Sequence, residues 1–476
     1  MLFNSIEFLI FLPVSFILYW LLFRKNLKIQ NTLLVVLSYI FYGAWDYRFL
    51  ALIFLSTLVD YLVGIQLGKP EQRHRRLWLW TSISFNIGLL GFFKYYNFFA
   101  DSFYELLEHF GYHAQNQFTL NILLPVGISF YTFQTMSYSL DIYHKKLKPT
   151  KDFIAFSAYV SFFPQLVAGP IERASHLLPQ MLNKRKFNYL QAVEGLRLIL
   201  WGFFKKIAIA DALAPIVDDI FSNSDSMSSS SLFIGAVFFG FQIYGDFSGY
   251  SDIAIGTSKL FGFELMSNFK FPYFSRNIVQ FWRRWHISLS TWFRDYIYYP
   301  LGGSKGSKIT TIRNVFVIFL VSGLWHGANW TFVFWGGLHA LLFLPFFFIH
   351  KAKWNPGLRI NRLTDIISVM LNFLLVTITW IFFRAENLTS AFEYLKRMFT
   401  DFSITPYLHP AGYRMIDYFI LLLIFTGYEF LIRRNERAPY PFKNKWVRLS
   451  LYSITVLAIM LFYDDQVDRS FIYFQF

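Results

Sequence analysis

The chain has 476 residues, 55% of them hydrophobic and only 15% charged, against about 25% charged in an ordinary soluble domain. Its mean hydropathy of +0.39 excludes a soluble globular enzyme, and 60 Phe, 29 Tyr and 14 Trp exclude disorder, which goes with few bulky apolar groups. The net charge of +15 is read as cytoplasmic loops facing anionic lipid rather than as a nucleic-acid surface, and the absence of cysteine excludes disulfides, thiolate metal ligands, S-palmitoylation and a cysteine nucleophile.

A helix crossing the hydrocarbon needs about 20 mainly apolar residues. In chain order the first spans are predicted near 6–23, 29–45, 49–67, 77–96 and 120–143. No basic segment precedes the first apolar run, and Arg24 and Lys25 follow it, so an uncleaved span is expected rather than a signal peptide. Arg24, Lys25 and Lys28 after the first span, and Lys69, Arg73, Arg75 and Arg76 after the third, place both loops inside and the N-terminus outside.

The apolar run from Phe153 to Val167 has basic flanks at both ends: His144, Lys145, Lys146, Lys148 and Lys151 before it, Arg173, Lys184, Arg185 and Lys186 after it. A single crossing would break the charge rule. A re-entrant or interfacial hairpin interrupted by Pro164 and Pro170 is preferred, its irregular backbone covered by protein, with two stacked crossings as the alternative.

Spans near 190–216 and 231–262 enclose an acidic, Ser-rich loop expected outside. The stretch from Asn268 to Lys308 is too charged to cross and reads as amphipathic helices at the inner surface. Spans near 310–325, 330–350, 363–384, 413–432 and 446–463 alternate with basic loops at 351–362 and 433–448, which puts both termini outside. The expectation is therefore an all-α polytopic membrane protein with about 11–12 transmembrane helices plus re-entrant or interfacial ones. It forms a single membrane-embedded domain over 1–476, with its polar core at about 120–340.

Three segments interrupt that apolar background. Gln280 to Asp295 combines tryptophans with Arg283, Arg284 and Arg294, whose planar forks suit phosphate; an interfacial helix settled at headgroup level explains the same composition, and His286 within it reads equally as a buried structural histidine. Val321 to Trp330 places His326 between small residues at the end of a span, where an imidazole titrating near neutrality serves as a general base for a hydroxyl or as a packing residue. Gly323 and Gly327 are expected to leave its surroundings loosely packed. Tyr244 to Asp252 carries Asp246 and Asp252 six residues apart, not same-face spacing unless Gly245 or Gly249 breaks the helix. They line a polar cavity, or each pairs with an arginine such as Arg283 or Arg294.

No phosphate-binding glycine loop, dinucleotide fingerprint, zinc-protease motif or nucleophile elbow is present. His326 and His339 lack a carboxylate at ligand spacing, so no metal is expected.

Leu124-Pro-Val-Gly-Ile-Ser-Phe-Tyr131, Phe163-Pro-Gln-Leu-Val-Ala-Gly-Pro-Ile171, Tyr244 to Asp252, Phe281 to Gly303 and Leu324-Trp-His-Gly327 resemble the membrane-bound O-acyltransferase family, in its bacterial alginate O-acetyltransferase branch. The resemblance runs down to Phe471-Ile-Tyr-Phe-Gln-Phe476. It implies a helical ring around a thin central wall in the bacterial inner membrane, with a cytoplasmic entrance for an acyl donor and an external funnel for the acceptor. His326 matches the catalytic histidine and His286 a supporting position. Arg283, Arg284 and Trp285 are expected at the donor entrance, and Tyr244, Asp246, Ser248, Asp252 and Asn329 along the cavity.

The implied donor is acetyl-CoA, with no tightly bound cofactor. The implied acceptor is a cell-surface polysaccharide or peptidoglycan hydroxyl, reached directly or through an external partner transferase. D-alanyl transfer from a carrier protein to a cell-wall polymer is the alternative within the family. A non-enzymatic transporter or flippase of lipid-linked glycan is the alternative outside it, disfavoured because the irregular segments do not correspond between two halves.

Overall fold

A computed structural model describes residues 1–22, 25–112, 119–167, 169–349, 362–464 and 471–472. Arg24, Ala168 of the 163–171 motif, the basic loop at 351–361 and residues 473–476 of the closing motif lie outside the described residues. Every regular element among those described is helical. Six stretches are long and apolar enough to cross a membrane: Leu27–Leu67, Ser229–Leu260, Lys308–His326, Trp330–Ile349, Leu363–Arg384 and Met415–Ile432. This is an all-α polytopic membrane protein.

Backbone contacts group the chain into two units, 1–192 with 257–265, and 193–256 with 266–476.

In the first unit, the apolar stretch Leu27–Leu67 is two helices, Leu27–Asp46 and Leu50–Leu67, because Asp46 leaves helical geometry and its carboxylate accepts the Arg48 N–H at 2.9 Å. Helices Leu50–Leu67, Arg75–Leu90 and Ile128–Tyr143 pack together, and the Arg75 guanidinium ties their ends by donating to the carbonyls of Leu67 at 2.6 Å and Tyr143 at 2.9 Å. The span expected at 120–143 is helical only from Ile128. Gly127, at φ 74°, turns the chain into it, and a side chain there would meet the Leu166 carbonyl oxygen at 2.5 Å.

The 153–167 run forms Phe153–Val160 and Phe163–Leu166, both too short to cross. Residues 155–167 are all buried, so protein covers the irregular backbone as the hairpin reading requires.

The second unit begins within helix Tyr189–Phe203, which continues through a π-helical segment, Phe204–Asp211, into Ala212–Ser222. The 268–308 stretch contains short helices Ile278–Trp282 and Ile287–Phe293, the latter continued by the π-helical segment Arg294–Tyr298. Here the expectation of surface helices is corrected. Phe281, Trp285 and His286 are completely buried, and Trp282, Leu289, Trp292 and Phe293 are buried as well. The aromatic residues have one another as partners, and caps satisfy the backbone: Asn277 accepts the Gln280 N–H at 3.0 Å. Such a segment belongs inside protein rather than at the headgroups.

Candidate active site

Helix Lys308–His326 ends at the imidazole of His326, which is 2% exposed. The chain then runs extended through Gly327, and Asn329 starts the next helix by accepting the Thr331 N–H at 2.9 Å while donating to the Glu386 carbonyl at 2.8 Å. Asn329 is thus a helix cap. The expectation of loose packing is also corrected, since a side chain at Gly323 would collide with the Phe332 backbone and one at Gly327 with the Phe332 ring. The glycines let the two helices close on His326. Its ring lies 5.0 Å from Trp325, 5.2 Å from Trp335 and 5.2 Å from Phe383, measured between centroids.

His286 arrives from the other side. It sits at φ 43°, left-handed geometry that a non-glycine residue adopts only where neighbours over-determine it. Asn268 supplies that constraint: its carbonyl accepts the Ile287 N–H at 2.9 Å, and its side-chain oxygen accepts the Ser288 N–H at 3.2 Å and hydroxyl at 2.9 Å. The Asn268 amide in turn donates to Ser251 on Ser229–Leu260 at 3.2 Å.

The His286 ring stands edge-on to Phe247 at 4.6 Å, with its centroid 6.4 Å from that of His326. Its Nε2 has no hydrogen-bond partner among the described residues. Burial pushes this imidazole down to about 3, so it is neutral near pH 7.

The structure therefore brings together two buried imidazoles between aromatic walls. A site of this kind excludes water and places two imidazoles, groups able to take or give a hydroxyl proton, in one enclosed space.

Arg283, Arg284 and Trp285 do not share a face. Arg283 is exposed and Arg284 half-buried, donating to the Lys270 carbonyl at 3.4 Å, with burial holding its guanidinium at about 10. Trp285 points inward, packed on Phe281 at 5.5 Å, Phe269 at 5.0 Å and Trp380 at 5.0 Å. The indole is completely buried. His339 is held by the Trp282 N–H at 3.2 Å and the Thr379 hydroxyl at 3.0 Å, a packing histidine.

A second layer of charge adjoins the histidines. Helix Ser229–Leu260 is unbroken at Gly245 and Gly249. A side chain at Gly249 would meet the Gly202 carbonyl at 2.7 Å, and one at Gly202 the Gly249 carbonyl at 2.6 Å. The bare backbones let the helices touch. Lys205 and Lys206, consecutive residues of the π-helical segment, then reach the two carboxylates. Lys205 pairs with Asp252 at 2.7 Å, and Lys206 with Asp246 at 2.6 Å and Asp211 at 2.8 Å.

The expected arginine partners are thus corrected to lysines, and Arg294 pairs with Asp295 at 2.7 Å. Tyr244 donates to Glu429 at 2.8 Å, the Ser248 hydroxyl is buried without a partner among the described residues, and Asp246 accepts the Ile472 N–H at 2.6 Å. The Phe471 ring rests on Tyr250 at 4.8 Å and Phe247 at 5.6 Å. Lys205, Lys206, Asp211 and Glu429 were not singled out from sequence, although each is an ionisable residue inside an apolar run, the signal that marks a functional or paired group.

Residues 147–385 match the model of the membrane-bound O-acyltransferase family. The chain is 42% identical over 406 residues to a probable alginate O-acetylase of Pseudomonas aeruginosa, covering 84% of this chain and 75% of that one. It is 36% identical over 430 residues to a peptidoglycan O-acetyltransferase of Helicobacter pylori, covering 84% and 80%. A teichoic acid D-alanyltransferase of Bacillus subtilis is 29% identical over 269 residues, covering 53% of this chain and 67% of that one. With its helical membrane fold and this match, the chain belongs to the membrane-bound O-acyltransferase family: it is a multi-pass membrane O-acyltransferase.

Proposed function

We propose that the chain moves an acetyl group from a cytoplasmic thioester, acetyl-CoA in class, to a hydroxyl of an extracytoplasmic polysaccharide or peptidoglycan, directly or through an external partner transferase. The observation that carries the reading is the pairing of His326 and His286, buried with ring centroids 6.4 Å apart between aromatic walls. An imidazole nitrogen of His326 takes the acceptor proton as the hydroxyl oxygen attacks the acyl carbon. The C–S bond breaks, and the departing thiolate takes up the proton that His326 removed from the hydroxyl. His286, neutral and fixed by Asn268, orients the acyl oxygen or the acceptor.

With no cysteine in the chain, an acyl-thioester enzyme intermediate has no residue to form on. Arg283, exposed and without an ion pair among the described residues, and Arg284 beside it receive the donor's phosphates. Tyr244, Asp246, Ser248 and Asp252 form the polar flank of the acceptor path.

Acetyl is favoured over D-alanyl because the acetyltransferases match over 84% of the chain at 36–42% identity, whereas the D-alanyltransferases match over 53–56% at 27–29%. The inner membrane of a bacterium is the location this reading requires.

The test is mass spectrometry of surface polymers from cells carrying the protein, lacking it, or carrying His326→Ala. We expect acetyl esters that disappear with the gene and fall about 100-fold or more in the variant, the scale of general acid–base groups. Because the glycines close tightly on His326, the variant is normalised to protein eluting as a single peak. Normal acetylation by well-folded His326→Ala sinks the assignment of the base, and comparable loss at His286 alone moves the base there.

A further inference from the structure

In the first unit, three helices each turn two polar side chains four residues apart toward one point. Ser56 and Asp60 come from Leu50–Leu67, Ser82 and Asn86 from Arg75–Leu90, and Thr135 and Ser139 from Ile128–Tyr143. An i,i+4 pair lies on one face of a helix, so the sequence aims all six at the three-helix seam. All six are completely buried.

Asp60 is the only ionisable group among them. Its Oδ1 accepts the hydroxyls of Ser82 and, at 2.6 Å, Ser139, while its Oδ2 accepts the Asn86 amide at 2.7 Å. The Asn86 oxygen accepts Thr135 at 3.1 Å and Ser56 at 3.3 Å. No basic side chain among the described residues pairs with Asp60. A carboxylate in a membrane helix without a counter-charge is among the most costly arrangements a fold can hold.

We propose that Asp60, Ser82, Ser139 and Asn86 form a binding site for one monovalent cation of sodium's size, which neutralises Asp60 and locks the three helices together. The ligand chemistry suits it: carboxylate, hydroxyl and amide oxygens are hard donors, and a single negative charge balances a monovalent rather than a divalent ion. These donors converge on one carboxylate from three helices, and the ion would take the place of the hydrogen bonds that now join them.

The hydroxyls can free their lone pairs for an ion by turning their protons to the helix carbonyl one turn back. Ser38 and Thr57 of this unit do so, at 2.6 and 2.7 Å. Turning the Asn86 amide over places its oxygen beside the carboxylate in place of its nitrogen.

The competing occupant is a proton on Asp60, and the two separate experimentally. The purified full chain in detergent is unfolded thermally at neutral pH in sodium chloride and in choline chloride at equal ionic strength. One equivalent of radioactive sodium is sought by equilibrium dialysis. A ligand bound only by the folded state raises the midpoint with its concentration. We expect a saturable rise of a few degrees with sodium, one bound ion per chain, and loss of both in Asp60→Asn. If Asp60→Asn fails to fold, Ser139→Ala is expected to need a several-fold higher sodium concentration for the same rise. Equal midpoints in sodium and choline with no bound ion, or a full sodium response in Asp60→Asn, overturn the proposal and leave Asp60 as a protonated hydrogen-bond hub.

Discussion

His286 shows how one side chain combines strain, burial and charge state. Its left-handed backbone is held by Asn268, and its ring is enclosed by Phe247 and Trp325. The folded protein keeps it neutral down to about 3, whereas an unfolded chain protonates it at about 6.5. Below that value the unfolded state takes up the extra proton, so this group makes stability fall as pH drops from about 6.5 toward 3 and contributes nothing to the slope above 6.5. Thermal midpoints measured across that window should decline more steeply in the parent than in His286→Asn. Equal slopes would mean that the imidazole is protonated within the fold.

At the donor side, replacing both Arg283 and Arg284 with Gln is expected to raise the apparent KM for the donor more than it lowers kcat, because a phosphate contact made equally in ground and transition states is uniform binding. Unchanged donor dependence in a folded double variant would reduce the two arginines to surface charges. Trp285→Phe, by contrast, belongs with the core and should act on stability.

At the scale of elements, the contact of Ser229–Leu260 with the helix carrying Lys205 and Lys206 is the sharpest departure from the sequence reading. Gly245 and Gly249 do not break the helix and instead serve as a flat face. The backbones meet there, and the ion pairs form because the lysines are then within reach of Asp252 and Asp246. Removing one partner strands the other without a counter-charge, so Lys205→Met should destabilise by about 3–5 kcal/mol. Lys205→Met with Asp252→Leu should recover most of that loss. The measurement is a double-variant cycle on thermal stability in detergent, and a double variant no better than the single one would show that Lys205 acts through Tyr244 and Glu429 instead.

The 268–308 segment was misplaced for a related reason. Its arginines and tryptophans have interfacial composition, but composition carries no information about which residues share a face. Folding in short helices sends Arg283 outward and Trp285 and His286 inward.

For the whole molecule, the alternation of basic loops predicts that reporter fusions after Arg76, Lys151, Lys186, Lys308 and Lys443 read cytoplasmic and that a fusion after Ser229 reads external. Cysteines introduced at Asp152 and Arg173 should label from the same side, since the chain offers a clean background. Labelling from opposite faces would turn the buried 153–167 hairpin into a crossing and reverse every later assignment.

Membrane class, helical fold and family were legible in the sequence because hydropathy, charge alternation and contiguous motifs are local properties of the chain. His326 in Leu324-Trp-His-Gly327 needed no partner to stand out. What only tertiary structure decided is pairing. Asp246 and Asp252 meet lysines rather than arginines, Asn329 is spent on a cap, Gly323 and Gly327 tighten a site they were expected to loosen, and Asp60 gathers five neutral polar groups from three helices. Each of these depends on which faces meet across helices far apart in sequence. In an apolar phase the sequence states which groups must find a partner, and only packing selects it, because every buried charge or glycine face has several near-equivalent candidates until the backbones approach.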